Sequence, residues 1–369
     1  MRIGIDARTV LGRKTGDRSY TLGLIHGLAS VGAGHEFVLY VDRDPGDALQ
    51  PPGPSFAVRT VTRPGGRLWT LLALPAAARR DGLDVLHVQY MLPFRAPCPV
   101  VTTIHDVSFR LHPEWFTLRD RLVFALGLPG SLRRAAAIMA VSECTRADLV
   151  REYGVPLDKV HVTPNALPPD FTPPADPDLE RVRARYALPD PYALFLGVLQ
   201  PRKNPVRTIR GFVRAKREAN LPHLLAMVGK RGWLHGDVLP TVRELEAEAD
   251  VLFPGYAADE DLPALYAAAD LFLFPTLYEG FGIPVLEAFA CGTPTIASGT
   301  SGTAETAGDA ALLVDPYSED EIAEAIVRAL TDEELRGELR RKGLRRARDF
   351  SWERTAELTI ACYESVARP

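Results

Sequence analysis

Short apolar runs rich in β-branched residues alternate along the chain with longer stretches whose apolar positions recur at helical spacing. The first series of runs covers residues 2–7, 36–41, 56–61, 85–90, 100–105, 137–142 and 159–163. A second follows at 193–198, 224–228, 251–254, 271–274, 294–297 and 311–314. Runs that stay apolar without alternating belong to strands covered on both faces, and the helical stretches between them supply the crossovers that parallel neighbours need. The pattern predicts an α/β protein of two doubly wound, Rossmann-like domains facing each other across a cleft.

The two series are separated by Leu167-Pro168-Pro169-Asp170-Phe171-Thr172-Pro173-Pro174 and then Pro177. Proline lacks the amide donor and fixes φ, so this stretch suits neither a regular helix nor a central strand. We place a linker at 168–177, the first domain at 1–167 and the second at 178–350. Residues 320–330 and 332–348 read as charged surface helices. Ser351 is placed to cap a last helix through Val366, and we expect segment 351–369 to pack back on the first domain.

The chain has 369 residues, 46% of them hydrophobic and 24% charged, and a formal net charge of -4. Nothing in that total suggests a polyanion partner and any basic patch must be local, so nucleic acid is disfavoured as a partner. Cys98, Cys144, Cys291 and Cys362 lie far apart without a C-x-x-C pair, which argues against zinc and against a disulfide framework; they read as reduced, mostly buried thiols. The first residues run straight into a strand pattern, and no apolar run approaches the ~20 residues that span a bilayer. The cytoplasm is therefore the expected compartment. Segments 67–80 and 119–134 interleave arginine with leucine, tryptophan and phenylalanine. We read them as ordinary domain helices, with peripheral contact to anionic lipid at the inner face of a membrane as the alternative.

The candidate chemistry concentrates at strand ends. Segment 271–274 is followed by Glu279-Gly280-Phe281-Gly282-Ile283-Pro284 and then Glu287, with Gly292 closing a helix expected from about Ile283 to Cys291. Gly280 and Gly282 let backbone amides approach a ligand, and the helix start behind them offers donors and a positive dipole end, as a diphosphate requires. Two flanking carboxylates suit paired hydroxyls, so one would take a sugar and the other a ribose. Arg202 and Lys203, after the run 193–198, reach the same sheet edge, where they would neutralise a departing nucleotide diphosphate. In the first half, His105 ends an apolar run and the loop Leu11-Gly12-Arg13-Lys14-Thr15-Gly16 follows the first one, ahead of a helix from about Arg18. This loop is not a G-x-G-x-x-G. Backbone around Gly255-Tyr256 is the candidate holder of a nucleotide base. We read no Asp-x-Asp metal motif, and fixed cations would stand in for a divalent ion.

Glu279-x7-Glu287, in the form Glu-Gly-Phe-Gly-Ile-Pro, resembles the E-x7-E signature of retaining family-4 glycosyltransferases of GT-B architecture. Residues 197–204 resemble that family's phosphate-binding turn, and Val162-Thr163-Pro164-Asn165 the motif ending its N-terminal domain. Ala140-Val141-Ser142-Glu143-Cys144-Thr145 and Thr103-Ile104-His105-Asp106 also match, so the resemblance covers nearly the whole chain. It implies that Glu279 holds the transferred sugar, Glu287 the ribose and Lys203 the diphosphate, with Gly16 near the donor phosphates and His105 near the sugar. Many members carry arginine directly after the glycine equivalent to Gly197; here that residue is Val198, and Arg202 is taken as the second cation. The resemblance implies retention of anomeric configuration. With no dedicated carboxylate nucleophile evident, front-face attack without a metal is the favoured route. The expected donor is a nucleoside-diphosphate hexose, GDP-mannose first and a UDP-hexose second, with no further cofactor. The expected acceptor is a hydroxyl of a glycan, a lipid-linked sugar or a small molecule. A non-catalytic nucleotide-sugar-binding protein, a nucleotide-sugar epimerase and a glycoside phosphorylase are the alternatives of similar architecture.

Overall fold

The computed structural model describes residues 1–12, 15–62, 68–174, 177–230 and 236–367. Arg13 and Lys14 of the glycine loop, Arg67 at the head of the first arginine-bearing segment, and residues 175–176 of the proline-rich stretch lie outside the described residues. The chain forms two compact units, Met1–Pro169 joined by the C-terminal segment from Phe350, and Asp170–Asp349.

In the first unit the strands are β1 (Arg2–Asp6), β2 (Glu36–Val41), β3 (Phe56–Thr60), β4 (Val85–Gln89), β5 (Val100–Ile104), β6 (Ala137–Ala140) and β7 (Val160–Val162), in the parallel order β3-β2-β1-β4-β5-β6-β7. Both faces are covered, which is why these strands carry no polar alternation. Trp69, Leu74, Leu86, Ile104, Leu128 and Leu132 pack on one face, and Ile3, Ile5, Leu24, Leu39, Val101 and Trp352 on the other.

The second face receives the helix Trp352–Val366, capped by Ser351, whose side chain accepts from Arg354 N at 3.1 Å. It packs on the helix Gly16–Val31 where that helix carries glycine: a Cβ on Gly23 would stand 1.9 Å from Trp352 Cε2, and one on Gly27 2.1 Å from Trp352 O. The indole Nε1 donates to Leu167 O.

In the second unit β8 (Tyr192–Leu196), β9 (Leu224–Val228), β10 (Val251–Gly255), β11 (Leu271–Phe274), β12 (Thr295–Ser298) and β13 (Leu312–Val314) are parallel, ordered β10-β9-β8-β11-β12-β13. The charged helices run Glu319–Thr331 and Glu333–Arg346. The first presses Ile322 and Ile326 onto the core with Phe212 of the helix Pro205–Ala219.

Three local features differ from the sequence reading. The first helix starts at Gly16 rather than near Arg18, because Thr15 caps it, accepting from Arg18 N at 3.4 Å. Pro177, grouped with the linker, opens the helix Pro177–Tyr186, since its fixed φ suits a first turn. Of the four free thiols only Cys362 is buried; Cys98, Cys144 and Cys291 are partly exposed.

Candidate functional site

Each sheet reverses its winding at one point, β8/β11 in the second unit and β1/β4 in the first. Loops diverge there at the carboxyl ends of the strands, where open α/β sheets take ligands.

Behind β8 the chain turns through Pro201–Lys203 to Asn204, whose φ is 59°. The Asn204 amide donates to Pro275 O at 2.9 Å and Pro316 O at 2.6 Å, fastening the loops behind β8, β11 and β13 together. Leu277 N donates to Arg202 O at 2.9 Å. These bonds bring the two cations against Glu279: Arg202 Nη1 lies 2.9 Å from Oε2 and Lys203 Nζ 2.7 Å from Oε1. Glu279 is 9% exposed. Its Oε1 takes the ion pair but no well-directed hydrogen bond, so acceptor capacity remains there. Burial alone would raise the carboxyl's pKa; the charges of Arg202 and Lys203 outweigh it and hold it below the ordinary glutamate value. Three side chains thus form a cluster of formal charge +1, and Lys203 Nζ also lies 4.7 Å over the Phe274 ring.

The loop after Glu279 rests on the helix Ser301–Ala307. Glu279 N donates to Ser301 Oγ at 3.1 Å, Gly302 N to Glu279 O at 2.9 Å, and Thr306 Oγ1 to Phe281 O at 2.7 Å. A Cβ on Gly302 would stand 2.1 Å from Gly280 O, so only glycine permits this approach. Gly282, at φ 105°, turns the chain into the helix Ile283–Ala290, which no side chain caps. The start of such a helix offers amides and a positive dipole end to an anion. The Phe281 ring is buried, which leaves its backbone for any ligand contact.

Glu287 lies inside that helix and is 5% exposed, so it is not a surface residue. Tyr266 donates its hydroxyl to Glu287 Oε2 at 2.8 Å. Further along the same sheet edge, Tyr256 follows Gly255 at the end of β10, half exposed, with Lys230 Nζ 4.1 Å over its ring.

The sequence does contain Asp-x-Asp spacings, which corrects our reading that it holds none. Asp259 accepts from Tyr256, and Asp261 is buried and held by Arg181, Arg185 and Tyr186. Asp44 accepts from Gly46 N, and Asp42 faces Arg43. Among the described residues no group of three or more metal-ligating side chains gathers.

In the first unit, Gly16 opens its helix with nothing within 4 Å of the place a Cβ would occupy. His105 follows β5, and its Nε2 lies 2.8 Å from Gln89 Oε1 and 3.7 Å from Asp17 Oδ1, in the first turn of the Gly16 helix. Gln89 donates through Nε2 to Thr21 Oγ1 at 2.8 Å, so its oxygen faces the imidazole and His105 carries a proton on Nε2. Beneath, His87 bridges Tyr363 (2.6 Å) and Thr103 (2.7 Å), and Thr103 meets Tyr20, whose ring stands nearly perpendicular to that of His105 at 4.9 Å. Burial, with the neighbouring His105 charge, pushes His87 down to about 3 and keeps it neutral.

Sequence reasoning missed Tyr266, Gly302, Gln89, Asp17 and Lys230. Gly299-Thr300-Ser301-Gly302, directly behind an apolar run, was the available sign for one of them. The others announce themselves only through partners distant in sequence.

Two Rossmann-like units, one carrying a glycine turn at an uncapped helix start and a carboxylate held between two cations, make up the GT-B architecture. The family model "Glycosyl transferases group 1" matches residues 178–346, and "Glycosyltransferase Family 4" matches residues 16–171. The chain is 36% identical over 297 residues to the O-antigen chain mannosyltransferase B of Escherichia coli, covering 78% of this chain and 76% of that protein. Sucrose-phosphate synthase from Thermosynechococcus elongatus superposes with a TM-score of 0.76 at 23% identity, over 99% of this chain and 98% of that one. HepE of Anabaena, in complex with UDP and glucose, gives 0.75 at 21% identity, over 99% and 100%. The chain belongs to the family-4 glycosyltransferases, and it is a glycosyltransferase.

Proposed function

We propose that the protein is a retaining, metal-independent hexosyltransferase that moves mannose from GDP-mannose to a hydroxyl of a glycan or lipid-linked acceptor. The observation that carries this reading is the cluster of Arg202, Lys203 and Glu279 at the β8/β11 switch, beside the uncapped start of the helix Ile283–Ala290. Fixed cations and main-chain amides there can stabilise a leaving diphosphate at the place a divalent ion would otherwise serve. The mannosyltransferase relative supports mannose as the sugar; the UDP and glucose bound by HepE keep a UDP-hexose as the second donor.

In this mechanism the acceptor oxygen bonds to the anomeric carbon on the face from which the diphosphate leaves. The bond from that carbon to the phosphate oxygen breaks with its electron pair, and the departing oxygen takes the acceptor's proton. Arg202, Lys203 and amides from Gly280 to Ile283 hold the diphosphate. Glu279 accepts from hydroxyls of the transferred sugar through Oε1, and Glu287, oriented by Tyr266, accepts from the ribose. Backbone at Tyr256 holds the base. Within the first unit, His105 is assigned to contact with a sugar and the open helix start at Gly16 to contact with phosphates.

A thermal-shift screen of GDP-, UDP- and ADP-sugars tests the donor, because a ligand at ~100 times its dissociation constant contributes roughly 2.7 kcal/mol. Nucleotide release that requires an acceptor then tests transfer. Stabilisation by no nucleotide sugar would end the donor reading, and binding without acceptor-dependent release would make the protein a binding protein.

A further inference from the structure

A histidine kept only for packing has both ring nitrogens satisfied, as His87 does between Tyr363 and Thr103. His105 does not. Its Nε2 lies 2.8 Å from Gln89 Oε1 and 3.7 Å from Asp17 Oδ1, while Nδ1 has no partner among the described residues. The ring is nevertheless held firmly. Tyr20 stands nearly perpendicular to it at 4.9 Å, and Tyr90 is tilted against it at 5.7 Å. Tyr90 directly follows Gln89 at the end of β4, with φ at 58° and Met91 N donating to Gln89 O at 2.7 Å. A three-residue turn of that hand is rare and strained, above all for an aromatic residue, and such strain gathers at sites that hold a functional group. Here it sets the Tyr90 ring against His105, Phe109 and Phe124.

The hydrogen-bond partners decide which nitrogen carries the proton. Thr21 donates its one hydroxyl proton to Asp17 O at 2.8 Å, so toward Gln89 Nε2, also at 2.8 Å, it accepts. The Gln89 amide therefore has its nitrogen on Thr21 and its oxygen on His105. That oxygen only accepts, which puts the imidazole proton on Nε2, and the negative charge of Asp17 favours the same placement. In the neutral ring the other nitrogen is then a bare lone pair. A phosphate oxygen has no proton to offer such a group, whereas a sugar hydroxyl does.

We propose that Gln89 is a positioning residue: it fixes His105 with Nε2 as donor, so that Nδ1 accepts from a hydroxyl of the transferred sugar. The inference rests on the sugar contact proposed for His105. NMR of the full chain carrying isotope-labelled histidine, at about pH 8 and so above the ordinary histidine range, reads the tautomer directly. With the His105 signal assigned by its loss in His105→Ala, the wild type should show Nε2 protonated and Nδ1 bare. Calorimetric titration with GDP-mannose analogues, each with one sugar hydroxyl replaced by fluorine, then finds the contact, since fluorine cannot donate. One analogue should bind wild type about fivefold more weakly than GDP-mannose does, the worth of one hydrogen bond. That gap should vanish in His105→Ala and shrink in Gln89→Leu, because fluorine's other effects are common to all three proteins and cancel. A proton on Nδ1 in the wild type, or a gap lost in His105→Ala but intact in Gln89→Leu, overturns the positioning role and leaves the sugar contact standing. A gap that is absent, or unchanged in His105→Ala, overturns the sugar contact and this inference with it.

Discussion

Replacing Glu279 by glutamine keeps the side chain's size and removes the one negative charge shared by Arg202 and Lys203. Both cations are largely buried, with side chains 21% and 12% exposed, and both lie within 3 Å of the carboxylate. Breaking a buried ion pair by removing one partner costs about 3–5 kcal/mol. The low end applies here, because Lys203 keeps the Phe274 ring and Arg202 keeps Tyr278 O at 3.4 Å. A loss of about 3 kcal/mol corresponds to about 6–12 °C in the transition of the second unit.

The folded pKa of Glu279 is depressed, so its contribution is complete above the unfolded value of about 4.3 and is lost as pH falls below it. The gap between wild type and Glu279→Gln should therefore be full at neutral pH and close on acidification. Free nucleoside diphosphate should move the other way, since the variant leaves two cations with no counter-charge. GDP or UDP should bind the variant at least as tightly as wild type, while single-turnover transfer falls by 10²-fold or more, roughly the cost of losing one preorganised electrostatic contact. Calorimetric titration with the diphosphate, unfolding between neutral and acid pH, and single-turnover transfer at saturating donor measure the three quantities. Wild-type stability, or diphosphate affinity falling in step with turnover, would refute the reasoning.

Turnover should survive exhaustive chelation; complete loss with EDTA and rescue by magnesium or manganese would contradict the metal-independent mechanism. Tyr266→Phe removes the hydroxyl that orients Glu287 and should weaken nucleotide binding by about tenfold or more, the worth of a hydrogen bond to a charged group; unchanged affinity would take Glu287 out of the ribose role. In Gly302→Ala the new methyl meets Gly280 O, so the second unit should lose about 1–3 kcal/mol and nucleotide affinity should drop as the loop shifts; wild-type behaviour in both would free the loop from this constraint. His87 is kept neutral with a depressed pKa, so the unfolded chain binds the extra proton and the first unit loses stability as pH falls from about 6.5 toward His87's folded value. His87→Gln should flatten that slope in a pH series of thermal unfolding, and an unchanged slope would show that His87 does not set it.

The central strands were legible because each is covered on both faces, and a run without alternation is visible in one dimension. Glu279, the Gly280–Gly282 turn and Glu287 were legible for a similar reason: proline at the helix start and glycine beyond its end bound the element locally. Strand-end logic also placed Arg202 and Lys203 at the right edge. It did not reveal that they clamp Glu279, since Arg202 and Glu279 are 77 residues apart and meet only because Asn204 staples three loops. Gln89 and His105 sit at the ends of adjacent strands, 16 residues apart, and nothing in either segment names the other. The first helix began two residues early where Thr15 caps it, and Pro177, read as linker, opened a helix, terminal geometry that apolar periodicity does not encode.

The clamp changes what the two cations can be said to do. A bare Arg-Lys pair would hold a diphosphate product as firmly as a leaving group in transit, and release would strand two partly buried positive charges. If the donor diphosphate binds here as proposed, Glu279 lodged between them gives the cations a partner before the donor arrives and again when the nucleotide departs. On the proposed assignment, the same carboxylate that accepts sugar hydroxyls during transfer competes with the product for Arg202 and Lys203 afterwards. Ground-state diphosphate affinity is lowered by that competition. Transition-state stabilisation is not lowered equally, because the charge developing on the leaving oxygen strengthens its hold on the cations as positive charge on the sugar strengthens its hold on Glu279. A carboxylate set between two cations is therefore better suited to turnover than the cations alone.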